Sequence, residues 1–373
     1  MRHSPLARNN PFRYLDTPLR KVNAAIVSVA VVVAIVFPLF ATPSLIGVGF
    51  VALIYALRNF TWNIAGGYAG LLSLAHVAAF GIGAFAVAIL TWRYGFNAWF
   101  GLLAGVAVSA AVGFLISLLM SRFGVVNAFF FALGTLALSL AFAGVAAAWE
   151  FLGAANGISN TGSGEGLLRL QWFIDPSGFY YTALAFLIVI TIGTAVLMRF
   201  THFGRSLPFI REDPVIAASM GVRVIRNQAV AMALSMGLTA IAGTLLAQYV
   251  QFVSYESVLT VEIAVAMLVG SIIGGAGTLA GPIVAGIGIA VLEELLRSFA
   301  VSSANVSSYT QIAYAVLVIV LLRFGTGGIM PIWESLVRMV FGAGRRSTAT
   351  ADGSGEGQGG AVAGLAKHGK GVG

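Results

Sequence analysis

Apolar runs of membrane length alternate with short polar stretches along most of the chain. They fall at 22–40, 45–62, 66–90, 98–120, 125–149, 179–199, 226–250, 259–274, 279–298 and 309–323. A helix crosses the hydrocarbon core with about 20 apolar residues. The pattern therefore predicts an all-α polytopic membrane protein with about ten transmembrane helices. The run from Val22 to Phe40 is too long for a signal-peptide core, and no cleavage pattern accompanies it, so it reads as a retained first helix. Two glycine-rich breaks sit in the two halves, Gly66-Gly67-Tyr68-Ala69-Gly70-Leu71-Leu72-Ser73 and Gly274-Gly275-Ala276-Gly277-Thr278-Leu279-Ala280-Gly281-Pro282. Paired interruptions point to pseudo-repeated halves with broken helices beside a translocation path. Close helix packing at glycine is the alternative explanation.

One long polar stretch stands out, GRSLPFIREDPVIAASMGVRVIR at 204–226. Asp213 before Pro214 is a helix-start signal, because an Asp side chain caps and proline suits the first turn. Gly221 is placed to stop the helix. The stretch predicts about two turns of helix, capped at both ends, with small apolar residues Ala217, Ala218 and Ser219 next to Met220. Its charges keep it out of lipid. A loop serving only charge bias would need no such helix, so it reads as a docking element for something soluble. The chain then divides into an N-terminal segment 1–21, a transmembrane domain 22–328 containing the loop 200–226, and a C-terminal part 329–373. That last part holds a short amphipathic piece from Ile332 to Phe341 and a Gly-, Ala- and Ser-rich tail predicted to be disordered.

Composition agrees with the membrane reading. Of 373 residues 59% are hydrophobic and 9% charged, with mean hydropathy +0.94, where a soluble domain carries roughly 25% charged residues. The net charge of +8 would suggest nucleic acid in a soluble protein. Here the basic residues collect in a few loops, as the positive-inside rule requires, and no nucleic-acid partner is expected. Placing the N-terminus in the cytoplasm puts Arg122, the 199–226 stretch and Arg338, Arg345 and Arg346 inside, and the 150–178 loop with Glu150, Glu165 and Asp175 outside. Both termini are then cytoplasmic. The chain has no cysteine, and its four histidines are scattered at 3, 76, 202 and 368, so no metal cluster is expected. No P-loop occurs, so the chain is not expected to hydrolyse ATP.

Candidate chemistry is sparse. His76 lies inside an apolar run, where an ionisable residue is a functional candidate by default; a bond to a neighbouring helix is the favoured, plainer role. Asn63, Ser73, Thr135, Ser139, Gln248 and Gln251 are uncharged polar groups in or beside spans. With His76, the set Asn63, Ser73, Thr135 and Gln248 could line a path for a polar solute, or serve as interhelical hydrogen bonds. Glu293, Glu294 and Arg297 read as a solvated helix end with an i,i+4 pair.

Three motifs carry a resemblance. GGYAGLLSLAHVAAFGIGAF at 66–85, GRSLPFIREDPVIAASMGV at 204–222 and GGAGTLAGPIVAG at 274–286 resemble the signatures of the LivM-like permeases of branched-chain amino-acid ABC transporters. The likeness runs from about residue 45 to 328. Ala218 departs from it where the family commonly has an acidic residue, and Pro208 where a basic one is usual. The resemblance implies an import permease in a bacterial cytoplasmic (inner) membrane. It implies pairing with a second, homologous permease, with two ATP-binding subunits on the cytoplasmic side, and with an extracytoplasmic substrate-binding protein. Arg205, Arg211, Glu212, Asp213, Ala217, Ala218, Met220 and Gly221 fall on the family's ATPase-coupling loop. The chain itself would bind no cofactor and hold no catalytic residues, ATP being used by its partners. The implied cargo is a branched-chain or other aliphatic amino acid, with urea and short amides also handled in the family.

Two competing readings follow from the residues alone. An ion- or proton-coupled secondary transporter would need ionisable groups near the midplane, which are scarce here. A membrane enzyme would need clustered catalytic side chains, and His76 has no acidic neighbour in the sequence.

Overall fold

The computed structural model describes residues 19–122, 128–160, 166–167, 169–171 and 175–300. Nine of the ten apolar runs are helical within these bounds; the tenth, 309–323, lies outside them, as does the C-terminal part 329–373. In chain order the helices are α1 (Leu19–Phe40), α2 (Pro43–Asn63), α3 (His76–Val87), α4 (Ala98–Arg122), α5 (Ala128–Ala148) and α6 (Ser177–Phe200). They continue with α7 (His202–Glu212), α8 (Pro214–Ser219), α9 (Val224–Val250), α10 (Tyr255–Val258), α11 (Val261–Gly275) and α12 (Gly281–Ala300). Among the described residues seven helices are long and apolar enough to cross a membrane. The chain is therefore an all-α polytopic membrane protein. Its only described ladder pairs two residues, β1 (Ile158–Ser159), antiparallel to β2 (Phe252–Val253), tying the long 150–171 loop to the end of α9.

The run at 66–90 is not one helix. α2 continues through a wide π turn, Ile64–Tyr68, and residues 69–75 are irregular, neither helix nor strand, before α3 starts at His76. A wide turn leaves its last carbonyls unpaired, and Gly70 takes φ +76°, a left-handed conformation that glycine adopts freely. The second break behaves alike: α11 ends at Gly275, and Gly275 and Gly277 have φ of +111° and +83° before α12 begins.

The core is a packing of α9 against α3 and α4, with α2 pressed against α12, α11 and α6. α9 is the most enclosed of the spanning helices and α5 the least. Contact is close because small residues meet at the crossings: Gly83 lies against Ala240, Gly243 against Phe80 and Gly286 against Ala56. In lipid, where apolar burial between helices gains little, such approaches carry the association. The outer faces of α1, α4, α5 and α6 present Val32, Leu39, Leu119, Phe130, Val189 and Ile192, a surface suited to acyl chains.

α9 ends on Gln251, which has φ +59° and gives its amide to Ala247 O at 2.8 Å. A side chain is disfavoured in that conformation by about 1–2 kcal/mol. Gln251→Gly is expected to raise stability by about 1 kcal/mol, read as a higher melting temperature of the purified protein.

Candidate functional site

The short capped helix expected between Asp213 and Gly221 exists. α8 spans Pro214–Ser219, and the Asp213 carboxylate accepts from the amides of Val215 at 2.8 Å and Ile216 at 3.0 Å, filling the N-terminal donors that a helix leaves free. Gly221, at φ +82°, turns the chain out at the other end. The sequence did not foretell that the residues before it, 202–212, also form a helix. Thr201 caps α7 by accepting from Gly204 N at 3.0 Å, and Pro208 is accommodated within it. A Cβ on Gly204 would lie 2.4 Å from Leu197 O, so α7 folds tightly back onto the end of α6.

α7 and α8 rest on an apolar cluster in which Leu207, Ile210 and Ala217 meet Met198, Met232, Ile64 and Tyr68. The α7–α8 pair thus packs against the π turn that opens the first glycine break. Asn227 Nδ2 donates to Ser206 Oγ at 2.8 Å, tying α7 to α9 as well. Ala217 is 1% exposed and supports α8 from behind. The outward face is made by Val215 (73% exposed), Ile216 (58%) and Met220 (67%), flanked by Arg205, Glu212, Ala218, Arg223 and Arg226. These apolar side chains stand exposed among arginines on one side of the pair.

The two glycine breaks meet each other. The Asn63 carboxamide accepts from Gly277 N at 2.8 Å and donates to Thr278 O at 2.8 Å. A Cβ on Gly67 would fall 2.5 Å from Gly277 N, so only glycine lets the backbones pass. Arg211 reaches this junction from α7: one guanidinium nitrogen donates to Gly67 O and, at 3.2 Å, to Ala276 O.

Four of the five predicted path residues gather around the first break. Besides Asn63, Ser73 Oγ accepts from Ala75 N at 3.1 Å, and Thr135 Oγ1 from Leu74 N at 3.0 Å. His76 Nε2 bonds Ser235 Oγ at 2.7 Å, and that hydroxyl donates to Thr61 O at 2.6 Å, joining α3, α9 and α2. The fifth, Gln248, lies at the opposite end. Its carbonyl accepts from Trp92 Nε1 at 3.2 Å and Gln171 Nε2 at 3.1 Å, and its amide donates to Arg169 O at 3.1 Å. All five are buried and bonded to other parts of the chain. A half-open pocket lined by Thr91, Gly95, Phe96, Asn97 and Arg169 lies at that same end.

One cluster was missed. Arg58, in α2, is 4% exposed, and its guanidinium carbon lies 3.6 Å from the Tyr55 ring centroid. The Tyr55 hydroxyl donates to Glu293 Oε2 of α12. Glu293 is therefore not part of a solvated helix end: α12 runs on to Ala300, and the carboxylate faces α2. Arg58 stands nine residues before Gly67, about 14 Å along the helix. The spacing Tyr55, Arg58, Asn59 on one helical face was the signal available in the sequence.

Residues 44–322 match the family model described as branched-chain amino acid transport system / permease component. The chain is 25% identical over 332 residues to the high-affinity branched-chain amino acid transport system permease protein LivM of Salmonella typhimurium, covering 83% of this chain and 76% of that one. Identity to LivM of Escherichia coli is 25% over 333 residues, covering 84% and 76%. A probable branched-chain amino acid transport permease protein LivH of Methanocaldococcus jannaschii is 26% identical over 166 residues, 44% of this chain and 52% of that one. No solved structure matches the chain significantly. With a family match covering most of its length and a bundle of membrane-length helices, the chain belongs to the permease components of the branched-chain amino acid transport systems.

Proposed function

We propose that this chain is one permease subunit of an ATP-driven importer for branched-chain or related aliphatic amino acids, coupled to separate ATP-binding subunits through α8. The observation that carries the reading is the outward face Val215, Ile216 and Met220, held rigidly by the Asp213 cap and by the cluster under Ala217. An ATP-binding subunit closing on nucleotide would press on this face and tip the bundle between its two open states. A second, homologous permease would complete the path, and an extracytoplasmic binding protein would deliver the cargo. The cytoplasmic face of a bacterial inner membrane is the expected setting for α7 and α8.

The test is leucine uptake into vesicles containing the chain with its second permease, ATP-binding subunits and binding protein. The triple change Val215→Asp, Ile216→Asp, Met220→Asp should abolish both ATP-driven uptake and co-purification of the ATP-binding subunits. Asp213→Asn keeps an N-cap and should retain both. Uptake that survives the triple change would end the docking assignment. The Arg58–Tyr55–Glu293 cluster favours a second reading, a gradient-coupled secondary transporter, since intramembrane charges serve proton and ion relays. Uptake that follows an ion gradient without ATP would select it.

A further inference from the structure

We propose that Arg211 is the clasp that carries movement of the docking helices to both glycine breaks at once. The inference rests on the importer reading above and names the residue through which the coupling passes.

Each break is the C-terminal end of a helix. α2 and its π turn finish at Tyr68, α11 at Gly275. Their last carbonyls have no partner within the helix, and both ends carry the negative pole of a helix dipole. Two such ends brought together repel unless a cation lies between them. Arg211 supplies that cation, donating to Gly67 O at one end and to Ala276 O at the other. The fit is close: a Cβ on Gly277 would come within 2.6 Å of the donating nitrogen, and one on Gly70 within 3.3 Å of the Arg211 Cα. Side chains at those glycines would push the arginine away. Asn63 holds the two breaks to each other, so Arg211 engages a single joined unit.

Arg211 is also the last residue but one of α7, two positions before the Asp213 cap of α8. Displacement of α8 by a partner must move Arg211 by nearly the same amount, because only Glu212 and Asp213 intervene. The guanidinium then either drags both carbonyls or leaves them uncapped. Either response changes the breaks in α2 and α11 together, and these helices belong to different halves of the chain. Arg211 is a positioning residue: it touches no cargo and acts through the backbone of the breaks.

The experiment uses the assembled transporter and compares leucine uptake with ATP hydrolysis in the same vesicles. Arg211→Met keeps the stem and removes the donors. Assembly and hydrolysis should persist, while leucine moved per ATP falls about tenfold or more, the scale expected for losing charge-assisted hydrogen bonds. Arg211→Lys retains a cationic donor and should recover part of that ratio. An unchanged ratio in Arg211→Met would overturn the clasp while leaving the importer reading intact. If wild type itself shows no ATP-dependent uptake, the importer reading fails first. Hydrogen exchange in the unmutated complex gives a test independent of folding in the variants. Nucleotide binding should alter exchange at 66–71 and 274–279 together, and a response in neither segment during active transport would equally overturn the proposal.

Discussion

Gly243→Ala is expected to lower the melting temperature of the purified protein, although alanine is the better helix former. Two effects oppose each other. Replacing a mid-helix glycine by alanine stabilises by about 1 kcal/mol through propensity. Against this, a Cβ at Gly243 would lie 1.9 Å from Phe80 O, and the mirror position Gly83 would place one 2.0 Å from Ala240 O. These obstacles are backbone atoms of neighbouring helices, so no rotamer change relieves them. α3 and α9 would have to separate at their closest approach, loosening the Thr244 Oγ1 to Gly83 O bond of 3.0 Å and the His76–Ser235 bond one helical stretch away. Overpacking of a tight core costs about 1–3 kcal/mol, and here the obstacle is a backbone carbonyl that cannot rotate away, so packing prevails. Gly243→Leu should leave little folded protein in the membrane. Gly193→Ala in α6 is the control, because nothing lies within 4 Å of its Cβ position. It should raise the melting temperature. Equal shifts for Gly243→Ala and Gly193→Ala, measured by thermal unfolding in detergent, would refute the account of this crossing.

The same physics explains what the sequence disclosed. Lipid is a uniform apolar solvent, so the spans are written as continuous hydrophobic runs, and eight of them appear at nearly the expected limits within the described residues, the run at 66–90 being broken before His76. The α8 caps were equally legible because capping is local: Asp213, Pro214 and Gly221 act within a few residues of themselves. Both glycine breaks were also local, and both occur. What the sequence did not contain is which separated groups meet. Asn63 and Gly277 are 214 residues apart, and Arg211 and Gly67 are 144 apart. No spacing rule connects them. Ala217 illustrates a smaller failure. Within a two-turn helix the buried face and the exposed face differ by one residue, and only the position of Leu207 and Ile210 decides that Ala217 points inward while Val215 and Ile216 point out. Arg58 was passed over because one arginine near the end of an apolar run resembles a snorkelling side chain; here it is held inside by Tyr55.

That enclosure gives the second large effect. Arg58→Met is expected to destabilise the fold by about 2 kcal/mol, because it strips the cation from a half-buried cluster rather than stranding one partner of an enclosed ion pair. The arginine lies face-on to the Tyr55 ring, a contact worth about 2 kcal/mol when desolvated. Tyr55 in turn donates its hydroxyl to Glu293, so the ring carries a cation on its face and an anion at its edge. Loss of Arg58 leaves the Glu293 carboxylate beside α2 without a cation behind its donor. Glu293→Gln creates the converse fault, leaving the guanidinium buried without a counter-charge. The double variant removes both charges and should be less unstable than the sum of the two, by about 0.5–3 kcal/mol. The coupling should vanish when the cycle is repeated in Tyr55→Phe, since the hydroxyl is the link between the charged ends. Thermal unfolding of the eight proteins in detergent measures all these terms. Additive single effects with Tyr55 intact would show that Arg58 and Glu293 are independent, and the relay between α2 and α12 would have to be abandoned. Coupling that survives Tyr55→Phe would instead place the two charges in direct contact, and α12 would then be held to α2 by an ion pair rather than through the phenol.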